Sequence, residues 1–291
     1  MRIAVLDIGG TAIKSALWDG VSLSEFQEQA ALVHSAQALL SDAEAAVRRF
    51  GTVDALGVAS RGQVSREGII LFDNGPVLNY TGASVKQMLT AALKCPVAVE
   101  NDANAAALGE GRFGAAKGVP DYLCLTYGTG IGGAIVQNGM IYRGANDSAG
   151  EFGAMQLFSQ ESNGDGLCAA FYENFASASA LVNAAMAVDP EIKNGRAVCE
   201  HMERPVLRPV IERWVRNVSY GLSTLIHIFN PRCVVLGGGI MENDRLFQKI
   251  AACTAGQLMP GFEMAELRQA VLGNRAGLIG AALLAEKLLF D

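Results

Sequence analysis

The chain is short of the groups that most enzymes use for general acid-base and metal chemistry. Its 291 residues hold only three histidines. His34 and His201 fall in polar surroundings that read as surface, and His227 sits in the apolar pattern GLSTLIHIFN with no carboxylate nearby in sequence, which points to a packed helix. The six cysteines, Cys95, Cys124, Cys168, Cys199, Cys233 and Cys253, show no CxxC or Cys/His spacing. Neither a disulfide framework nor a zinc site is therefore encoded locally, and reduced core thiols are expected. Basic charge is scarce as well: 23 Lys and Arg against 29 Asp and Glu give a net charge of -6. No basic surface is available to hold a phosphate backbone, so nucleic acid is not an expected partner. No apolar run approaches the roughly 18 residues of a membrane span, and Met1 leads into RIAVLDIGG without the basic and apolar regions of a secretion signal. The expected location is cytoplasmic, away from membranes.

What is present is apolar and periodic. Hydrophobic residues make up 51% of the chain and charged residues 18%, enough for a substantial core, and the length exceeds the usual size of one domain. Runs of strand length (IAVLDI, ALGVAS, VAVEN, YLCLTYG, AIVQNG, CVVLGGG) alternate with segments of helical period such as SDAEAAVRRFG, SVKQMLTAALK and RPVIERWVRNVSYGLSTLIHIF. This is an α/β pattern. AVLDIGGTAIKSALWDG and LCLTYGTGIGGAIVQNG both read as strand, glycine-rich reversal, second strand, and a turn ending in Asp-Gly or Asn-Gly. The same hairpin, repeated after about 120 residues, predicts two similar halves that each begin a domain and face each other across a cleft.

The reversals Gly9-Gly10-Thr11 and Gly128-Thr129-Gly130 let backbone N–H groups converge on an anionic oxygen, with a threonine hydroxyl as a further donor. Either one alone is equally an ordinary hairpin turn; two together favour phosphate. GTGIGG matches G-x-G-x-x-G at Gly128, Gly130 and Gly133, but AIVQNG continues it as a strand where a dinucleotide fingerprint must open a helix. No Gly-Lys-Ser or Gly-Lys-Thr closes either loop, so the Walker pattern is absent. A third cluster, Gly237, Gly238 and Gly239 in VVLGGGIMEN, suits either close approach of a flat ring or a plain strand-to-helix turn.

VAVENDANAAALGE, residues 97–110, places Glu100, Asn101, Asp102 and Asn104 where a strand passes into a helix. Ligand crevices form at such sheet edges. Asp102 reads either as a proton acceptor or as the helix N-cap, and Glu100 as a solvated strand end. Asn101 is suited to orienting a hydroxyl.

Taken in order, DIGGTAIK, VENDANAAALGE, LTYGTGIGGAI, SAGEFG, VVLGGGI and AGLIGAA resemble the ROK family of sugar kinases, over essentially the whole chain. The resemblance implies the two-domain hexokinase and actin-like ATPase fold, related to ribonuclease H, with a central cleft. It implies an N-terminal α/β domain over 1–114 and a C-terminal one over 115–291, the last helix being able to pack back on the first. By the same resemblance Asp7, Gly9, Gly10 and Thr11, and Thr129, Gly130, Gly132 and Gly133, are the phosphate loops, and Gly237, Gly238 and Gly239 the adenosine motif. Asp7 lies near a nucleotide-bound Mg2+, and Asp102 becomes the catalytic base for transfer from ATP to the 6-hydroxyl of a hexose. Gly62, Asn79, Asn101, Asp102, Glu151 and Glu173 are the implied sugar contacts, and a homodimer the implied assembly. The other reading within the family is a non-catalytic sugar-sensing or regulatory protein; retention of Asp102 and both loops speaks against it. ROK repressors carry about 60 to 80 residues of DNA-binding module ahead of the kinase-like region, whereas strand one starts at residue 3, which speaks against repression.

The chain also departs from the family. Many members carry ExGH followed by a cysteine-rich zinc loop; in EFGAMQLFSQESNGDGLCAAFYENFASASALV, Glu151 and Gly153 remain, Ala154 replaces the histidine, and Cys168 is the only cysteine. One thiol cannot build a tetrahedral site, so no zinc is expected. Glu173, the counterpart of the family's second glutamate, reads equally as a solvated helix face. The turn ASRGQV replaces the more usual serine-proline-glycine form and introduces Arg61, to which no role is assigned, and Tyr80 in NGPVLNYTG reads as packing or as a sugar contact. Zinc-less relatives of this EFG form include β-glucoside kinases and N-acetylmannosamine kinases, and the loss of an imidazole at Ala154 points to a sugar substituted at C1 or C2.

Overall fold

A computed structural model describes residues 1–31, 35–157 and 171–290. The chain forms two compact units. Met1–Lys117, Gly139–Ala149 and Asn274–Asp291 make the first, and Gly118–Asn138 with Gly150–Gly273 make the second.

In chain order the first unit begins with β1 (Ile3–Ile8), β2 (Ala12–Trp18), β3 (Leu23–Ala30), α1 (Ala36–Arg48), β4 (Ala55–Ser60), β5 (Gln63–Val64), β6 (Ile70–Phe72), α2 (Val85–Leu93), β7 (Val97–Asn101) and α3 (Asp102–Phe113). Its main sheet is ordered β3-β2-β1-β4-β7. β1 and β2 are an antiparallel hairpin, whereas β1, β4 and β7 run parallel. Strand period decides which face each side chain takes. Ala4, Leu6 and Ile8 of β1, with Leu56 and Val58 of β4, enter one core with Leu39, Leu40, Ala43 and Val47 of α1 and Val85 and Leu89 of α2. On the opposite face Ala59 of β4 packs with Ala105 of α3 and Ala281 of α9 (Ala276–Phe290), the chain's last helix. Small residues are required there: a Cβ on Gly57 would run into the Ala281 backbone, and one on Gly109 would lie 2.5 Å from the Ala276 carbonyl oxygen. The alanine-rich run after Asp102 is thus a helix surface cut for close backbone approach, which fixes where α3 begins.

The second unit holds β8 (Tyr122–Tyr127) and β9 (Ile131–Gln137); β10 (Met140–Ile141) follows in a segment that belongs to the first unit. The second unit then continues with α4 (Tyr172–Ala176), α5 (Ala178–Val188), α6 (Gly195–Glu200), α7 (Arg208–Phe229), β11 (Cys233–Gly237), α8 (Asp244–Ala255) and β12 (Glu266–Gln269). β8 and β9 form the second hairpin, and β8, β11 and β12 run parallel. α7 buries Ile211, Trp214, Val215, Val218, Leu222, Leu225 and Ile226 at helical period and ends at Asn230 in the left-handed conformation. His227 lies on the exposed side of α7; its Nε2 accepts from the Met259 N–H at 3.1 Å and its ring packs edge-on against Phe262. Among the described residues, no helix is long and apolar enough to cross a membrane. His34 and Cys168 lie outside the described residues.

Candidate functional site

In the first unit the junction of β7 and α3 is built on a buried carboxylate. Glu100, expected as a solvated strand end, is fully buried. Strand alternation places it on the sheet face opposite the core residues Val97 and Val99, where Oε1 accepts from the Asn101 N–H at 2.9 Å and from Asn104 Nδ2 at 3.1 Å, while Oε2 pairs with Arg143. Burial pushes its pKa up; Arg143 and these hydrogen bonds oppose that. Asn101, not Asp102, is the cap of α3: its Oδ1 accepts from the Ala103 and Asn104 N–H groups at 2.9 and 3.1 Å. Both hydrogens of Asn101 Nδ2 are also engaged, one by the Gly62 carbonyl at 3.0 Å and one by Asp102 Oδ1 at 3.1 Å. Asp102 is exposed, and the same Oδ1 receives the Ala103 N–H at 2.8 Å. The carboxylate is therefore held in orientation from below while remaining open to solvent.

The segment 143–149 is fastened beside this junction within the same unit. Besides Arg143 on Glu100, Arg66 Nε donates to Asp147 Oδ1 at 2.7 Å and Ser148 Oγ donates to Gln63 at 3.1 Å. Glu100, Arg143 and Asn104 form a buried support that sequence reasoning missed. Glu100 and Arg143 are 43 residues apart, and no local pattern links them.

The first glycine turn closes with the Gly9 N–H on the Ala12 carbonyl at 3.0 Å. Asp7 and Lys14 are partners across the hairpin, with Nζ 3.3 Å from Oδ2. Burial raises the Asp7 pKa and Lys14 opposes it. Thr11 is exposed at the tip. Gly62, at φ +82°, leaves no room for a side chain, since a Cβ would lie 2.7 Å from the Phe72 carbonyl oxygen. Tyr80 is buried and its hydroxyl shares a 2.6 Å hydrogen bond with Ser60, whose Oγ donates to the Arg61 carbonyl at 2.9 Å. It is a packing residue, with Asn79 exposed beside it at φ +59°.

In the second unit the turn closes with the Gly128 N–H on the Gly130 carbonyl at 3.0 Å. Thr129 is exposed. Glu173, from α4, sits against this turn: Oε2 accepts from the Ile131 N–H at 3.2 Å, and a Cβ on Gly130 would lie 2.5 Å from it. Gly132 and Gly133 lie on β9 beyond the turn, where Gly133 faces Phe152 and the Gly150 carbonyl. Glu151 and Ala154 are exposed around a single helical turn, Phe152–Ala154. Gly237 ends β11, and Gly238, at φ +97°, leaves no space for a Cβ against the Tyr127 backbone. A Cβ on Gly128 or Gly239 would meet nothing within 4 Å, and neither has a positive φ.

Two sheets that each begin with a glycine-turned hairpin and continue in parallel strands place the chain in the hexokinase and actin-like ATPase fold class. The ROK family model matches residues 3–288, and the chain belongs to that family. It is 31% identical to a β-glucoside kinase of Listeria innocua, covering 97% of this chain and 96% of that one. A ROK family glucokinase from Streptomyces griseus, solved in complex with glucose and AMPPNP, superposes with a TM-score of 0.84 at 30% identity, covering 99% of this chain and all of that one. The Lmo2764 protein of Listeria monocytogenes, described as a putative N-acetylmannosamine kinase, gives a TM-score of 0.89 at 27% identity, again covering 99% of this chain and all of that one.

Proposed function

We propose that this chain transfers the γ-phosphoryl group of ATP to the 6-hydroxyl of a hexose or hexose derivative, with Asp102 as general base. Its enzyme class is ATP-dependent carbohydrate kinase. The observation that carries the base assignment is the state of Asp102: a solvent-exposed carboxylate at the start of α3, held in one orientation by two donors on its Oδ1. Phosphoryl transfer asks the protein to position the hydroxyl, accept its proton and balance phosphate charge. Asn101, with both Nδ2 hydrogens spent, serves in this reading to orient Asp102, and its contribution to the sugar is through that carboxylate.

ATP phosphates are read at Gly9, Gly10 and Thr11 and at Thr129, Gly130, Gly132 and Gly133, and adenosine at Gly237 to Gly239. Two glycines support this directly, because neither packing nor backbone conformation explains the lack of a side chain at Gly128 or Gly239. Asp7 offers one hard oxygen ligand, and among the described residues no group of three His, Cys, Asp or Glu could hold a metal ion. Such a donor set fits Mg2+, which keeps waters and substrate phosphates in its shell and takes few carboxylates. Asp7 would hold it when nucleotide is bound, and the ion would neutralise phosphate charge.

Gly62, Asn79, Glu151 and Glu173 complete the proposed sugar contacts. The methyl of Ala154 in place of an imidazole removes a hydrogen bond and opens volume, so the reading favours a β-glucoside or N-acetylmannosamine over free glucose. Loss of a hydrogen bond worth about 1–3 kcal/mol reorders such sugars by roughly tenfold or more. Measuring ADP release over glucose, N-acetylmannosamine, cellobiose and gentiobiose tests both levels. No turnover on any sugar defeats the kinase reading, and a clear kcat/KM preference for unsubstituted glucose defeats the substituted-sugar reading alone. The same reading takes the enzyme to be a zinc-free homodimer, which elemental analysis and sedimentation velocity check.

A further inference from the structure

Arg61 stands where the chain departs from its family's turn, and its surroundings are more specific than a surface cation requires. Its N–H is held by the Ile8 carbonyl at 3.1 Å, so the residue is tied to the strand that enters the first glycine turn. Its Nε donates to Asp73 Oδ1 at 2.7 Å, in a pair whose side chains are 18% and 2% exposed. Asp73 is itself fixed, since its Oδ2 accepts from the Gly75 N–H at 3.1 Å and its own N–H donates to Thr81 Oγ1 at 3.0 Å. A buried carboxylate thus aims the guanidinium through one donor only. Among the described residues, Nη1 and Nη2 donate to no acceptor.

Those two nitrogens lie against glycine on both sides. A Cβ on Gly10 would be 2.9 Å from Nη1, and a Cβ on Gly75 would overlap the guanidinium itself. Gly62, the next residue, is bonded through its carbonyl to Asn101, the residue that orients Asp102. Tyr80 feels the charges of both Arg61 and Asp102. A planar cation with two undirected N–H2 groups is therefore fixed beside the tip of the phosphate turn and on the same side of the unit as the proposed base. An arginine kept only to neutralise Asp73 would turn its fork toward that carboxylate, because the bidentate arrangement is the stronger one.

We propose that Arg61 is a catalytic residue that binds the phosphoryl group in flight. The inference rests on the kinase reading. In the step, a lone pair of the sugar hydroxyl oxygen forms the new bond to the γ-phosphorus, and the bond from that phosphorus to the β,γ-bridging oxygen breaks with its electron pair leaving on ADP. The hydroxyl proton passes to Asp102. Arg61 changes no bond; its Nη groups meet the negative charge spread over the equatorial phosphoryl oxygens, where a fixed donor acts most strongly.

The test compares the wild type with Arg61→Lys, with Arg61→Ala and with Arg61→Ala combined with Asp73→Asn, which removes the orphaned carboxylate should the single variant fold poorly. Lysine keeps the charge and a partner for Asp73 but loses the fork. Expected are a kcat lowered about 10²- to 10³-fold in the alanine variants and at least about tenfold in the lysine variant. KM for sugar and affinity for ADP should stay within about threefold. Binding of ADP with aluminium fluoride, a mimic of the transferring phosphoryl, should weaken at least about tenfold while ADP alone does not. Millimolar guanidinium should restore part of the kcat of Arg61→Ala and leave the wild type unchanged, which a structural role would not produce. Near-normal kcat in the lysine variant or the double variant overturns the assignment, as does equal binding of ADP with aluminium fluoride. A loss confined to KM for sugar overturns it in favour of a sugar contact. Absence of turnover in the wild type is the separate failure of the kinase reading itself.

Discussion

The two glycine turns differ in what faces their backbone. The first has a cation against it: the Arg61 guanidinium lies against Gly10, while Lys14 is paired with Asp7 at 3.3 Å within the hairpin. The second is flanked by an anion, because Glu173 already occupies the Ile131 N–H at 3.2 Å. One hairpin design therefore serves two electrostatic settings. A turn that must meet mobile negative charge is helped by nearby guanidinium or ammonium groups, whereas a carboxylate parked on a turn amide competes with any phosphate that approaches. Each turn is also backed by a buried tyrosine hydroxyl pair, Tyr80 with Ser60 in the first unit and Tyr127 with Tyr172 in the second.

The largest effect is expected in the first unit, at Asp102. Asp102→Asn should lower kcat about 10²- to 10⁴-fold while sugar affinity, read by calorimetry, stays within about tenfold, because proton acceptance is lost and hydrogen bonding survives. Near-normal turnover would remove the base assignment. Next in size is the support beneath it. Glu100→Ala strands the Arg143 charge in a buried site, for which about 3–5 kcal/mol of stability should be lost, and Glu100→Leu with Arg143→Met should recover much of it. Chemical denaturation of the single and double variants measures the difference; a double variant no more stable than Glu100→Ala would show that the pair is not the source of the loss.

The hairpins, the parallel strands and the long helix α7 were legible because each is a local signal, an apolar run or a helical period bounded by turn residues. β3 was not, because its sequence LSEFQEQA keeps most of its length exposed at the sheet edge and carries no apolar run. The phosphate turns could be read as a repeated pattern, yet their neighbours could not: a Cβ on Gly130 or Gly10 would meet the side chain of Glu173 or Arg61, residues 43 and 51 positions away. Glu100 was misread for the same reason, since its partner Arg143 arrives from a distant segment. Asp102 was narrowed to two roles by position, and only the hydrogen bonds of Asn101 transferred the capping to its neighbour.

A smaller effect separates the two roles open to Glu173. If its charge merely crowds the second turn, Glu173→Gln should lower KM for ATP about two- to fivefold and leave KM for sugar alone. Should the carboxylate instead hold a sugar hydroxyl, KM for sugar should rise by about tenfold, the value of one charged hydrogen bond. Initial rates with each substrate varied in turn decide between the two.

The smallest effect compares the two tyrosine supports. Burial and the negative charges around Tyr80 push its phenol up to about 12, with the Ser60 hydrogen bond and Arg61 opposing. The sign follows from proton binding: between pH 10 and about 12 the folded chain keeps a proton that the unfolded chain releases, so stability from this group is complete below pH 10 and is lost as pH rises toward 12. Removing the hydroxyl with Tyr80→Phe should cost about 1 kcal/mol near pH 8, the net worth of one buried hydrogen bond. As pH rises, the wild type alone loses about 1.4 kcal/mol per unit from this source. The two stability curves should therefore cross near pH 11, roughly where the ionisation loss equals the hydrogen bond. Tyr127 and Tyr172 are also pushed up by burial, but they share one hydrogen bond and Tyr172 donates to the Val218 carbonyl at 2.8 Å. Tyr127→Phe should cost about the same near pH 8 and cross at a similar pH, because below about 12 the gap depends only on ionisation of the unfolded chain. Denaturant titrations of both variants from pH 8 to 12 test the pair, and parallel curves for Tyr80→Phe and the wild type would show that Tyr80 is less buried than its packing around Ser60 requires.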